Sequence, residues 1–136
     1  QVKDLLGRKI DVFATDACYM QMAAVAYEVR NAAEVVVGSQ ITVPGRSFPY
    51  AAILSQLPGK DAERAGAMMV DAFGAAYGDN VTLSALRSSA MDGFVSYLNN
   101  WLGAVRSSPA ASAATLGMTT RRPGQWAKIL SPHWLW

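Results

Sequence analysis

A strand, a helix and a second strand are written into the start of this chain, and their spacing leaves little choice of topology. Residues 10–15 (I-D-V-F-A-T) are apolar, β-branched in several places and bounded by charges, which suits a strand buried on both faces. Residues 20–31 set Met22, Val25, Ala26 and Val29 at the i, i+3, i+4, i+7 spacing of one helical face, with Glu28 and Arg30 opposite. Residues 34–38 hold three consecutive valines and read as a second buried strand. Two strands joined through a helix run parallel with a right-handed crossover, so the chain is committed to an α/β fold.

The remaining pattern extends that beginning. Residues 3–9 read as a helical turn ending at Gly7. Residues 39–50 contain Pro44, Gly45 and Pro49 and form a long loop after the second strand. A short helix over 50–57 is stopped by Pro58-Gly59. A longer helix over 61–77 has Asp61 as cap, a stripe of Gly66, Met69, Val70, Phe73 and Tyr77, and Gly78 as its stop. Residues 81–86 alternate as a strand, with Val81, Leu83 and Ala85 on one side. Ser89-x-x-Asp92 is a capping box for a third helix carrying Met91, Phe94, Leu98, Trp101 and Val105 at helical spacing. After Arg106 the composition turns to Ser, Ala, Pro and Thr. Residues 1–106 are therefore expected to be the C-terminal part of a domain, and 107–136 a linker and a tryptophan-bearing tail that packs on the domain or on a partner chain.

Composition removes several classes of function. Half of the residues (51%) are apolar, enough for a core, and the net charge of +2 is interspersed rather than gathered into the basic face a nucleic acid needs. No apolar run approaches the ~18 residues required to span a bilayer. One cysteine forbids an internal disulfide, and one cysteine with one histidine makes a transition-metal centre within this chain improbable. Asp71, Asp79 and Asp92 offer carboxylates for calcium, but their spacing matches no calcium loop. The Met20/Met22 and Met68/Met69 pairs fall on helical faces and read as core filler. Trp101, Trp126, Trp134 and Trp136 read as core or interface anchors. Gln1 begins the chain with neither a basic n-region nor an apolar h-region behind it, which suggests a piece cut from something longer.

The single cysteine, Cys18, lies just past the first strand and before the first long helix. Ligands in open α/β sheets bind beyond the carboxyl ends of the strands, and a helix N-terminus there would favour a thiolate. On position alone a small buried thiol is a slightly better reading than a reactive one. Asp16, two residues earlier, adds a carboxylate able to hold a Lys or Arg presented by a ligand.

Longer matches decide between them. D-V-F-A-T-D-A-C-Y-M-Q-M-A-A-V-A-Y-E-V-R, followed by V-V-G-S-Q-I-T-V-P-G-R-S-F-P-Y, resembles the clostripain family of cysteine peptidases. The family carries a D-A-C-x-M block, an A-Y-E helix, a strand ending in S-[EQ], and a P-G loop closing on an aromatic-x-Tyr. The likeness is close from Asp11 to Tyr50 and extends in arrangement to Val105.

That resemblance implies a caspase-like three-layer sandwich, a mostly parallel sheet with helices on both faces. Cys18 would be the nucleophile and Asp16 the floor of the pocket that selects Lys or Arg. Ser39 and Gln40 would line that pocket, and no metal would be needed for the chemistry, although some relatives require calcium. It also implies a base this stretch lacks. The family's histidine precedes the cysteine, whereas the one histidine here, His133, lies at the far end in S-P-H-W-L-W. The expectation is that this is the Cys-bearing heavy chain of a processed precursor, completed by a separate light chain that brings the histidine and covers an otherwise open sheet edge. Export from a bacterial cell is expected from the resemblance alone. Two features depart from the family: Ile41 stands where an acid is usual, and Ser47-Phe48 replaces a G-W pair. Arg121-Arg122 is either a self-cleavage site or, more commonly for such pairs, a solvated cluster. The rival readings are a non-catalytic caspase-like scaffold and an acyl-transfer enzyme using the same thiol.

Overall fold

The parallel pair forms as its pattern requires. In a computed structural model, which describes residues 2–107, α1 (Val2–Leu6) leads into β1 (Ile10–Ala14), and α2 (Ala23–Val29) crosses to β2 (Ala33–Gly38). Ile10 stands opposite Ala33 and Ala14 opposite Val37. Then follow α3 (Tyr50–Gln56), α4 (Ala62–Tyr77), β3 (Ser84–Arg87) and α5 (Met91–Ser107), with single 3-10 turns at Gly78–Asn80 and Ser88–Ala90. The linker beyond Ser107, Arg121-Arg122, the tryptophan-bearing tail and His133 lie outside the described residues.

Among the described residues the sheet is mixed, not mostly parallel. Its order is β1-β2-β3, and β3 runs antiparallel to β2, with Gly38 opposite Ser84 and Val35 opposite Arg87. The direction of α4 explains this. Glu63 near its start pairs with Arg87 at 2.7 Å, while Tyr77 at its end donates its hydroxyl to the Ser47 carbonyl at 2.6 Å, in the loop beyond β2. α4 has therefore already climbed the sheet, and the chain enters β3 from the carboxyl end of β2.

α4 seats on one face of the sheet through its glycine. A Cβ on Gly66 would stand 2.8 Å from Val35 Cγ1 and 3.2 Å from Ala85 Cβ, so the helix approaches as closely as a bare backbone allows. Around that contact Val35, Val37, Phe48, Ile53, Met68, Met69, Phe73 and Ala85 form the buried core, with Phe48 edge-on to Phe73 at 5.7 Å. Val70, Tyr77, Val81 and Leu83 pack against it. Asp61 caps α4 as its sequence suggests, accepting from the Arg64 amide at 2.8 Å. Alternation puts Val36 on the other face, where α2 packs on β2 and buries Ala26. Among the methionines, Met68 and Met69 are core, whereas Met22 is 54% exposed.

One burial expectation fails, and one helical face stays open. β1 is not buried on both faces: Asp11 and Ala14 are exposed, because β1 is an edge strand among the described residues. On α5 only Met91 is buried, while Phe94, Tyr97, Leu98 and Trp101 form an exposed stripe. Asp92 does not close a capping box with Ser89 but accepts from Arg30 Nε at 3.0 Å, tying α5 to α2.

Candidate active site

Beyond Ala14 the pairing with the β2 side continues without regular strand geometry. Thr15 N–H donates to the Val37 carbonyl at 2.9 Å, Tyr19 N–H to Ile41 at 3.1 Å and Gln21 N–H to Ser39 at 3.0 Å. These bonds stitch the turn bearing Cys18 along the chain that leaves β2. Tyr19 takes a positive φ of 59°, unusual for an aromatic residue and sustained by bonds on both sides of it. Gly38 permits the approach: a Cβ there would meet Gln21 Oε1 at 3.0 Å and Thr15 Oγ1 at 3.1 Å.

Gln21 locks the turn to the sheet. Its side chain is buried, and its amide donates to the Ser84 carbonyl at 2.8 Å and to Val36 at 3.3 Å, bridging β3 and β2. Cys18 is thereby held exposed at the carboxyl end of β1, and its Sγ accepts from the Val43 amide at 3.3 Å. The helix dipole invoked from sequence does not reach it: α2 begins only at Ala23, with Met22 as its N-cap. A loop amide stands beside the sulfur instead.

Asp16 occupies the same rim and is exposed. Its Oδ2 accepts hydrogen bonds from the Ser47 hydroxyl and from the Tyr50 hydroxyl, the latter at 2.5 Å. The Ser47 bond, and after it the Tyr50 bond, holds the carboxyl below the usual carboxylate value; the bond to Asp16 in turn pushes the Tyr50 phenol up. Ser39 is fully buried, its hydroxyl shared between Thr82 Oγ1 and the Ile41 carbonyl, each at 3.0 Å. Gln40 donates its side-chain amide to Ser84 Oγ at 2.7 Å. The fold therefore brings Cys18 and Asp16 to one exposed rim, with Ser39 and Gln40 behind it, tied to the approach to β3.

Sequence reasoning missed three contributors, Gln21, Ser47 and Tyr50. Ser47 and Tyr50 lie within the quoted P-G loop, but nothing local signals that they return to Asp16. Gln21 follows the D-A-C-Y-M block and carries no pattern that separates it from a surface residue. Among the described residues, no three His, Cys, Asp or Glu side chains converge as a metal site. Nor is any helix among them long and apolar enough to cross a membrane.

The profile of the clostripain family matches residues 1–121. The chain belongs to that family. No curated protein matches it. Among solved structures, it is similar to a clostripain from Bacteroides thetaiotaomicron in complex with the peptide inhibitor BTN-VLTK-AOMK, at 28% identity and TM-score 0.57, over 66% of this chain and 41% of that one. It is also similar to an inactive zymogen protease from Parabacteroides distasonis, at 30% identity and TM-score 0.57, over 68% of this chain and 28% of the other. A secreted cysteine protease from Bacteroides thetaiotaomicron, "iotapain", aligns at 28% identity and TM-score 0.57, over 66% and 26%. The chain thus spans less than half the length of these clostripain-family relatives and shares their mixed α/β fold.

Proposed function

We propose that this chain is the nucleophile-bearing part of a cysteine endopeptidase that cuts after Arg or Lys. The observation that carries the reading is the pairing, on one exposed rim, of a cysteine held by a backbone-locked turn with a hydrogen-bonded carboxylate two residues before it. Family membership gives that pairing its chemical sense.

In this reading the Cys18 thiolate attacks the carbonyl carbon of the scissile peptide. The C–N bond breaks, the leaving amine takes a proton from the base, and an acyl-thioester remains. Water then adds to the thioester, releasing the carboxylic acid and the thiol. The Val43 amide donates to Sγ and helps fix where the sulfur stands. Asp16 faces the basic side chain before the cut bond, while Ser39 and Gln40 support the pocket wall. The peptide V-L-T-K in the inhibitor of the Bacteroides relative ends in Lys, which agrees with a carboxylate at that place.

The base is proposed to come from a light chain of the same precursor. No histidine stands near Cys18 among the described residues, and His133 is the one histidine of the chain. Joined to that part, the mixed sheet would complete a caspase-like sandwich.

The experiment uses the complete precursor and matched peptides carrying Lys, Arg or Ala before the cleaved bond. Cys18→Ala should abolish turnover. Asp16→Asn should lower kcat/KM for the Lys and Arg peptides by about 10- to 100-fold, the worth of a hydrogen bond to a charge, and leave the Ala peptide unchanged. Retained cleavage in Cys18→Ala removes the nucleophile. Absence of cleavage together with sluggish iodoacetamide labelling of Cys18 replaces the enzyme with a scaffold.

A further inference from the structure

Two hydroxyls meet at one oxygen of Asp16. Ser47 Oγ and Tyr50 Oη both donate to Oδ2, and neither donor depends on Asp16 for its place. Ser47 closes a turn through its amide to the Pro44 carbonyl at 2.8 Å, takes a φ of 61°, and has its own carbonyl held by the Tyr77 hydroxyl. Phe48, next to it, is 4% exposed and wedged edge-on against Phe73. Tyr50 opens α3, its ring tilted beside Phe48 at 6.0 Å. The core thus presents both hydroxyls at a fixed place, and the carboxylate turns to them.

A carboxylate has room for about four hydrogen bonds, two on each oxygen. With Oδ2 taken twice, the side chain offers its remaining capacity through Oδ1. Arginine's fork reaches full strength by placing parallel N–H bonds on both oxygens. Lysine's ammonium is a compact charge that needs one oxygen and finds its other partners in water. Asp16 makes no ion pair among the described residues, so its charge is not already neutralised by a neighbouring cation.

We infer that Ser47 and Tyr50 are specificity-positioning residues: by occupying one oxygen of Asp16 they tilt the pocket toward lysine and away from arginine. The inference rests on the reading of Asp16 as the carboxylate facing substrate. Ser47 and Tyr50 touch neither the scissile bond nor Cys18, so their effect is expected in the ratio between substrates more than in turnover of the favoured one.

The test compares wild type, Tyr50→Phe, Ser47→Ala and the double variant of the complete processed protein on peptides that differ only in Lys or Arg before the cut bond. Removing both donors should move the Lys:Arg ratio of kcat/KM toward arginine by about tenfold, through KM, as expected for gaining one charge-assisted hydrogen bond. Tyr50→Phe keeps the ring and its packing and should move the ratio the same way by a smaller factor, so a folding failure of the serine variants leaves the question decided. An unchanged ratio, or one moved toward lysine, overturns the inference. Asp16→Asn separates the two levels. If it cleaves both peptides like wild type, the pocket reading itself falls and takes the inference with it. If it is impaired on both while the hydroxyl variants keep the wild-type ratio, the inference alone falls.

Discussion

At Asp16 the chemistry is set by neighbours that lie 31 and 34 residues away in the chain, Ser47 and Tyr50. Their hydroxyls stabilise the charged carboxylate, and desolvation, which works the other way, is outweighed. The sign of the pH dependence follows. A carboxyl more acidic in the folded protein stays charged, and able to hold a basic substrate, until the pH falls through its lowered value. Ser47→Ala removes the largest of the causes, so the acid limb of kcat/KM for a lysine peptide should move to higher pH, toward the ordinary carboxylate value of about 3.9. A pH profile of wild type and variant checks this; a limb that stays in place, or moves to lower pH, contradicts it. At this scale the sequence exposed Asp16 and Cys18 because they are two residues apart and sit where a strand runs out. It hid their partners, because a hydrogen bond across a loop leaves no period in the chain. Ser39 is the converse case: its place after β2 is plain in the sequence, but that its side chain turns inward onto Thr82 is not.

Among the elements, α4 carries the most interpretable contact. Gly66 is a poor helix former by intrinsic preference, costing roughly 1 kcal/mol against alanine, yet it sits inside a 16-residue helix, just past its first turn. The sheet explains the choice, since the missing side chain is the space that Val35 and Ala85 occupy. Gly66→Ala sets the helix gain against an overpacking loss of about 1–3 kcal/mol at a site walled by two strands. The expected result is net destabilisation of up to about 2 kcal/mol, read as a lower midpoint of denaturant unfolding at unchanged slope. A raised midpoint would mean that α4 lifts off the sheet freely. Such helices, and the two parallel strands, were legible because side-chain periodicity reports local conformation and which face is apolar. The direction of β3 was not, because it depends on where α4 delivers the chain. The exposure of Phe94, Leu98 and Trp101 was hidden for a similar reason: periodicity identifies a face without saying what covers it.

On the scale of the whole molecule, the open side of β1 is where the described part is least self-sufficient. β2 is paired on both sides, to β1 and to β3, and buries nearly all its side chains; β1 is paired on one side only and leaves Asp11 and Ala14 exposed. Just past the strand Thr15 donates its amide to Val37 at 2.9 Å, and strand alternation back from it sends the amides of Val12 and Ala14 toward the open edge. A row of unpaired amides on an apolar strand is a template for another strand. The clostripain-family structures that this chain resembles extend well beyond the aligned portion, which covers 41% or less of their length. If the histidine-bearing part of the precursor completes the site, it must come close to Cys18, which stands at the carboxyl end of this same strand. Pairing along β1 would fix the base relative to the thiol through one continuous sheet, with no separate docking surface required. Hydrogen exchange in the complete protein tests the arrangement. The Val12 and Ala14 amides should be protected to a degree comparable with Val35 and Val37 in β2, and denaturing electrophoresis of the active protein should show a second polypeptide carrying the histidine. Rapid exchange at Val12 and Ala14 in a fully active sample would place the partner elsewhere. Full activity from this polypeptide alone would remove the need for a partner and return the base to His133.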